Sequence, residues 1–544
     1  MNKAYIRRLF VPLFMLTAAT QASFPQTSRH ADTPCPQAAP AASDTLPDTS
    51  LWHARQPLRE TRAVWLTTIG GIDWPRTKAT DPASRLKQQQ ELTAILDQYQ
   101  RANINTVILQ TRVRASLIYP SAIEPWETSL TGYAGKDPGY DPLAFCIDEC
   151  HKRGMELHAW IVCIPIGTQQ RQAAYGKASI AQRHKHMVKK TASGEMFMMP
   201  GHPETAKHIA AICREIAERY DIDGISLDYI RYPEATYRFS DDNLYSTSTH
   251  MSKADWRRDN ITRIVRSVHD AVKPIKPWVK LSSSPIGKYA DTRLYSAGGW
   301  NGRDAVYQDP KLWISQGYQD MLFPMMYFLG NHFYPFLYDW QQTAQGHPII
   351  PGLGIYFLDP REGRWSLNDV RAEMHAARSC GIGGMAFYRS DFLTRNVKGL
   401  LDCACDEFFP YPALTARMTW QSDTIAPPAP LSLSYRDGVA SWTACPAGTS
   451  ASEPATYIMY NVYGSNTYPV DTSDPANLLR ANLRTTSYAL DARAMRLSYY
   501  AVTAIDRFGN ESQATQLPSP RATFPDSLNV PRLINRDVKH SRKR

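Results

Sequence analysis

From residue 62 to residue 392 the chain repeats one pattern eight times: a short apolar run rich in β-branched and aromatic residues, then an amphipathic stretch. The runs are RAVWLTTI (62–69), INTVILQTRV (104–113), MELHAWIVCI (155–164), DGISLDYIR (223–231), WVKLSSSPI (278–286), DMLFPMMYF (320–328), IIPGLGIYF (349–357) and GGMAFYRSDF (383–392). The helical stretches include SRLKQQQELTAILDQYQRA, DPLAFCIDECHKRG, ETAKHIAAICREIAERY and LNDVRAEMHAARSCG. Gly154 and Gly381 mark helix stops, at the position just past the last turn where glycine takes a positive φ without strain. Strands separated by helices pair in parallel through right-handed crossovers, and near-continuous apolar strands are covered on both faces. Eight such units close most economically into an α/β fold of the (β/α)8 TIM-barrel type. A doubly wound open sheet fits less well, because no GxGxxG turn follows the first run.

The rest of the chain reads as appendages. Residues 1–22 carry Lys3, Arg7 and Arg8, then an apolar run and small residues, the order of a signal peptide. The expected location is therefore periplasmic or secreted. Residues 23–58 read as a flexible leader and 59–415 as the barrel. After the Pro-rich segment QSDTIAPPAP, short alternating runs over 428–525 predict a small all-β sandwich, and Trp442, Tyr463 and YYAVTAID resemble a fibronectin type III module. Residues 526–544 read as a basic tail. No other stretch is apolar enough to predict a membrane span. Cys35 has no lipobox before it. The nine cysteines form no CxxC pairs, so neither a zinc centre nor a disulfide framework is implied. The net charge of +10 comes without a basic stripe interleaved with aromatics, which argues against nucleic acid and suits an anionic polymer.

In a barrel, chemistry sits at the carboxyl ends of the strands. Those ends supply Gln110, Arg112 and Arg114 from the second run, and His158 and Trp160 from the third. The fourth supplies Asp228, Tyr229, Arg231, Tyr232 and Glu234, and the fifth Ser282, Ser283 and Ser284. Tyr327, Tyr356, Tyr388 and Asp391 come from the last three. Aromatic faces with carboxylates and donors suit sugar rings, and glycoside hydrolysis needs two carboxyls. No GxSxG elbow points to acyl transfer, and His158 and His332 lack an HExxH context, so no metal or other cofactor is expected. Asp228 stands out because a carboxylate inside an apolar strand is costly unless paired or used. Glu234 and Asp391 are the candidates for its partner. Asp223 and Asp320 stand at strand starts, where a structural role is expected. Trp126, in the long EPWETSLTGYAG segment, is expected to cover the cleft.

The stretches RAVWLTTIGGIDWPR, NINTVILQTRVRASLIYPSAIEPWETSLTGYAGKDPGYDPLAFCIDECHKRGMELHAW, YDIDGISLDYIRYPE, KADWRRDN and SSSPIGKY resemble the glycosyl-hydrolase-like family 10 from about Arg59 to Pro412. That resemblance implies a TIM-barrel hydrolase acting on bacterial glycans. Three loops depart from it. DDY of the family reads Asp228-Tyr229-Ile230 here, which places Tyr229 at the second acid. HAWFNPYR reads HAWIVCIPIG, and PQxYW reads PMMYF. Two readings follow: a glycoside hydrolase of a bacterial glycan, with peptidoglycan strands as the candidate substrate, or a non-catalytic glycan-binding barrel at the cell envelope. A second carboxyl across an open cleft from Asp228 separates them.

Overall fold

A computed structural model describes residues 56–246, 250–444 and 458–518. The predicted signal peptide, Cys35, nearly all of the leader and the basic tail lie outside the described residues.

Eight parallel strands follow one another around a cylinder. They are β1 (Thr61–Leu66), β2 (Thr106–Arg112), β3 (Glu156–Val162), β4 (Gly224–Asp228), β5 (Lys280–Ser283), β6 (Met321–Leu322), β7 (Gly352–Leu353) and β8 (Gly384–Phe387). β8 pairs with β1, and parallel bridges Leu322–Ile349 and Met325–Gly352 join β6 to β7. The result is a TIM-barrel-like domain. The sixth and seventh strands are shorter than their apolar runs because Pro324 and Pro351 bring no amide hydrogen to the ladder. Helices α1 (Pro82–Arg101), α2 (Pro142–Lys152), α3 (Pro203–Arg219), α4 (Lys253–Val272), α5 (Pro310–Ser315), α6 (Tyr334–Thr343) and α7 (Leu367–Ser379) follow the first seven strands. α1, α2 and α3 start with proline in the first turn behind an Asp or His cap, and α7 starts with a capping box on Ser366 and Asp369.

Period-two alternation divides the apolar side chains between two cores. Val64, Leu66, Val107, Leu109, Ile161, Ile225 and Leu227 face the helices. Ala63, Trp65, Ile108, Trp160, Val162, Phe323 and Ala386 fill the barrel. The same alternation sends Asp228 inward.

The C-terminal part forms two small antiparallel sheets. One holds β9 (Leu431–Arg436), β10 (Val439–Thr443) and β13 (Ser487–Ala489). The other holds β11 (Met459–Ser465), β12 (Leu478–Leu483), β14 (Tyr499–Ile505) and β15 (Thr515–Pro518). They share a core of Leu433, Trp442, Tyr460, Val462, Tyr500 and Val502. The second sheet lies against the amino-terminal end of the barrel, opposite the strand ends that carry chemistry. Arg507 reaches Asp221 (2.7 Å), Asp223 (2.8 Å) and the Ile222 carbonyl (3.2 Å). Gly154 has φ +72°, and a Cβ there would meet the Ala481 carbonyl oxygen at 2.3 Å, so glycine serves both the helix stop and this join.

One core residue breaks the pattern. Glu373 on α7 is fully buried, and neither carboxyl oxygen has a hydrogen-bond partner. Burial pushes its pKa from 4.5 up to about 9. A raised folded-state value contributes stability that is fully present below about 4.5 and is lost as pH rises through about 9, by at most ~1.4 kcal/mol per pH unit. Glu373→Leu is therefore expected to raise the melting temperature, and by more at pH 8 than at pH 5. Thermal melts at the two pH values check this, and an equal shift at both contradicts it.

Candidate active site

Asp228 closes β4 at the carboxyl end of the barrel and is 5% exposed. One carboxyl oxygen accepts from the Trp160 indole N–H at 2.9 Å, and the other from the Tyr229 amide at 2.6 Å. Its backbone carbonyl accepts from the Cys163 amide at 2.8 Å, which ties the end of β4 to the end of β3. Burial pushes the carboxyl pKa above its ordinary value, against the opposing pull of Arg231, the Tyr229 amide and Trp160.

Tyr229 turns the chain with φ +47°, which brings its ring into the barrel mouth. The Arg231 guanidinium lies over that ring at 4.1 Å and is 3.2 Å from Glu234. Arg231 is buried, and its Nε and Nη1 have no hydrogen-bond partner. Arg231 thus holds Glu234 on the loop after β4, and its charge acts on the Asp228 carboxyl at the strand end. Tyr327 and Tyr388 stack at 5.3 Å, and Tyr356 stands edge-on to both at 5.8 and 5.9 Å. All three residues are partly exposed. Trp65 and Trp160 pack edge-on against Tyr388 from below. The arrangement is a buried acid beneath an aromatic wall, with a second carboxyl, Glu234, held by Arg231 on the following loop.

Several residues predicted at the strand ends take supporting positions instead. Arg112 binds Glu124 through two nitrogens (2.9 and 2.6 Å) and the carbonyls of Val162 and Cys163, so every nitrogen is engaged. Burial pushes the Glu124 carboxyl up, but Arg112 and His208 more than offset it and hold it at about 2. Gln110 accepts from the amides of Thr68 and Ile69 and so shapes the loop after β1. His158 sits lower in the barrel, beside Gly224 in register and 3.2 Å from Glu156. The Tyr232 hydroxyl accepts from Asn260 beneath the Arg257 guanidinium. Trp126 packs partly buried on the main core, and its backbone bridges Leu117. Asp391 is bound by Arg76 (2.6 Å) and Arg395 (2.9 Å). Asp223 and Asp320 accept from the amides that start β3 and β5, Leu157 (2.8 Å) and Leu281 (2.7 Å), as expected of structural residues.

Arg114 keeps an open side and is 3.8 Å from Glu195, on a small antiparallel sheet inserted between β3 and α3. Glu195 and Asp73 were not legible as site residues. Asp73 is buried and accepts from Thr67 (2.9 and 2.6 Å), from the Asp391 amide (3.1 Å) and from Arg389. It thereby fastens the loop after β8 to the loop after β1.

Comparison with known proteins places the chain in a family. The family described as Glycosyl hydrolase-like 10 matches residues 60–353. The chain is 30% identical over 489 residues to the glycosyl hydrolase YngK of Bacillus subtilis, covering 84% of this chain and 93% of that one. It is 32% identical over 349 residues to the glycosyl hydrolase DigH of Escherichia coli, covering 60% and 76%. Among solved structures it is similar to the PgaB (BpsB) glycoside hydrolase domain from Bordetella bronchiseptica, with a TM-score of 0.43 and 14% identity over 64% of this chain and 99% of that one. The length and identity of these sequence matches make the chain a member of the glycosyl hydrolase-like 10 family.

Proposed function

We propose that this protein is a glycoside hydrolase of a bacterial glycan, with Asp228 as the proton donor and Glu234 as the second carboxyl. The observation that carries the reading is Asp228 itself: a buried carboxyl whose pKa is raised, at the carboxyl end of the barrel strands and beside a cluster of partly exposed tyrosines. A carboxyl whose pKa is raised holds its proton to higher pH and can give it to the glycosidic oxygen as the bond to the anomeric carbon breaks. Glu234 then takes the proton of an attacking water, or attacks the anomeric carbon itself. Tyr327, Tyr356 and Tyr388 supply faces for sugar C–H groups.

Peptidoglycan strands are the favoured substrate. The chain is basic, at +10, which suits an anionic polymer. The signal-like N-terminus supports a periplasmic or secreted enzyme, and no helix among the described residues is long and apolar enough to cross a membrane. We read the two C-terminal sheets as a fibronectin type III-like sandwich that braces the barrel from below.

Incubation with peptide-free peptidoglycan strands and with neutral glycans, followed by mass spectrometry, tests the assignment. Shortened strands from the acidic glycan alone are the expected result. Cleavage confined to neutral glycans overturns the substrate. Binding without cleavage favours the glycan-binding barrel, the reading that Tyr229 at the family's second acid position supports.

A further inference from the structure

A second cluster of reactive side chains lies on the connection between β3 and α3, outside the acid site. His184 and His186 flank Lys185 at the end of a short turn (Ile180–Arg183, then Lys185–Met187), and Glu204 stands in the first turn of α3. The fold brings these two pieces together, and one coordinating atom from each of His184, His186 and Glu204 lies within 4.8 Å of the other two. His186 Nε2 already approaches a Glu204 oxygen at 2.5 Å.

We propose that His184, His186 and Glu204 form a binding site for a divalent transition-metal ion of the zinc class. Two imidazoles and one carboxylate are a nitrogen–oxygen set that zinc accepts as three protein ligands, with a remaining position for water. The surrounding groups fit this assignment. The His202 ring lies 5.1 Å from that of His186, but its Nδ1 accepts from the Glu204 amide at 3.3 Å. Its proton then sits on Nε2, and it offers the ion no lone pair. The His208 ring lies 5.5 Å from that of His184, with Nε2 spent on Glu124 at 2.8 Å. These two rings flank the site.

A bare His186–Glu204 pair this exposed contributes little to stability by itself. An ion held by all three groups would clamp the inserted segment to α3, which also carries His208 against the Glu124–Arg112 pair behind β3. Binding to the folded chain alone must then raise its melting temperature as ion concentration rises. HExxH is absent here, so the cluster carries no sequence signature of that kind; it arises from an HxH pair and a distant helix start.

The test uses the full chain, purified without a histidine tag and stripped with a chelator. Zinc chloride is titrated by calorimetry, and cobalt(II) is followed by its visible ligand-field absorption. One ion per chain is expected, with a melting temperature that climbs with zinc. His186→Ala and Glu204→Gln are each expected to weaken binding by more than ~10-fold, beyond the lower limit for losing an outer partner of a ligand. The His184→Ala/His186→Ala double variant should show no ligand-field band. Both His186 and Glu204 are exposed, and circular dichroism of each variant checks that it stays folded. Absence of binding at millimolar zinc overturns the proposal, and so does wild-type affinity in both single variants.

Discussion

Asp228→Asn is expected to cut turnover at least ~100-fold, the lower end of what general acid–base groups contribute, while glycan binding survives. Asparagine keeps the size of the side chain, but it has a single accepting oxygen, so it keeps only one of the two bonds that the Trp160 indole (2.9 Å) and the Tyr229 amide (2.6 Å) now give to separate carboxyl oxygens. What it loses is the transferable proton. The same residue sets the pH profile. With its pKa pushed up by burial, Asp228 is expected to set the alkaline limb of kcat/KM at a higher pH than a solvated aspartate would. Near-wild-type turnover in the variant would make Asp228 structural and move the chemistry to Glu234 and its neighbours. Melting curves recorded alongside separate lost catalysis from lost fold.

The second large effect concerns stability. Arg507→Met is expected to destabilise the chain by about 3 kcal/mol, the lower end of the cost of removing one partner from a buried ion pair. Arg507 is buried and serves both Asp221 and Asp223. Burial pushes the Asp223 carboxyl up, yet His151 and Arg507 together hold it far below the ordinary range. Without Arg507, His151 at 2.8 Å and the Leu157 amide at 2.8 Å still hold Asp223, which keeps the loss near the lower end. Denaturant unfolding of the two proteins gives the difference. An unchanged midpoint would show that the sheets brace the barrel through packing alone.

The barrel was legible because its signal is local and repeated. All eight apolar runs became strands, and α1, α2, α3 and α7 cover the quoted helical stretches. In the sixth and seventh runs, where only two residues each form a strand, Pro324 and Pro351 explain the difference. Asp228 was legible for the same reason: alternation along four residues of β4 decides which way it points. The partners of the site were harder to read in proportion to their distance in sequence. Glu234 is three residues from Arg231 and was within reach. Asp73 and Arg389 are 316 residues apart, and nothing local in either stretch reports their pairing. Arg112 looked like a sugar ligand because it ends a strand, but Glu124, twelve residues on, folds back to claim it. Trp126 looked like a lid because its loop is long, whereas that loop pairs with Leu117 and packs its ring on the core.

The central claim is that this barrel breaks glycosidic bonds with water. The most direct measurement is digestion of a defined bacterial glycan strand in heavy-oxygen water, with mass spectrometry of the fragments. The expected result is one heavy oxygen at each new reducing end, produced by the wild-type chain and nearly absent with Asp228→Asn. A strand that binds the wild-type chain yet is recovered intact and unlabelled would contradict the account and make the barrel a glycan-binding protein.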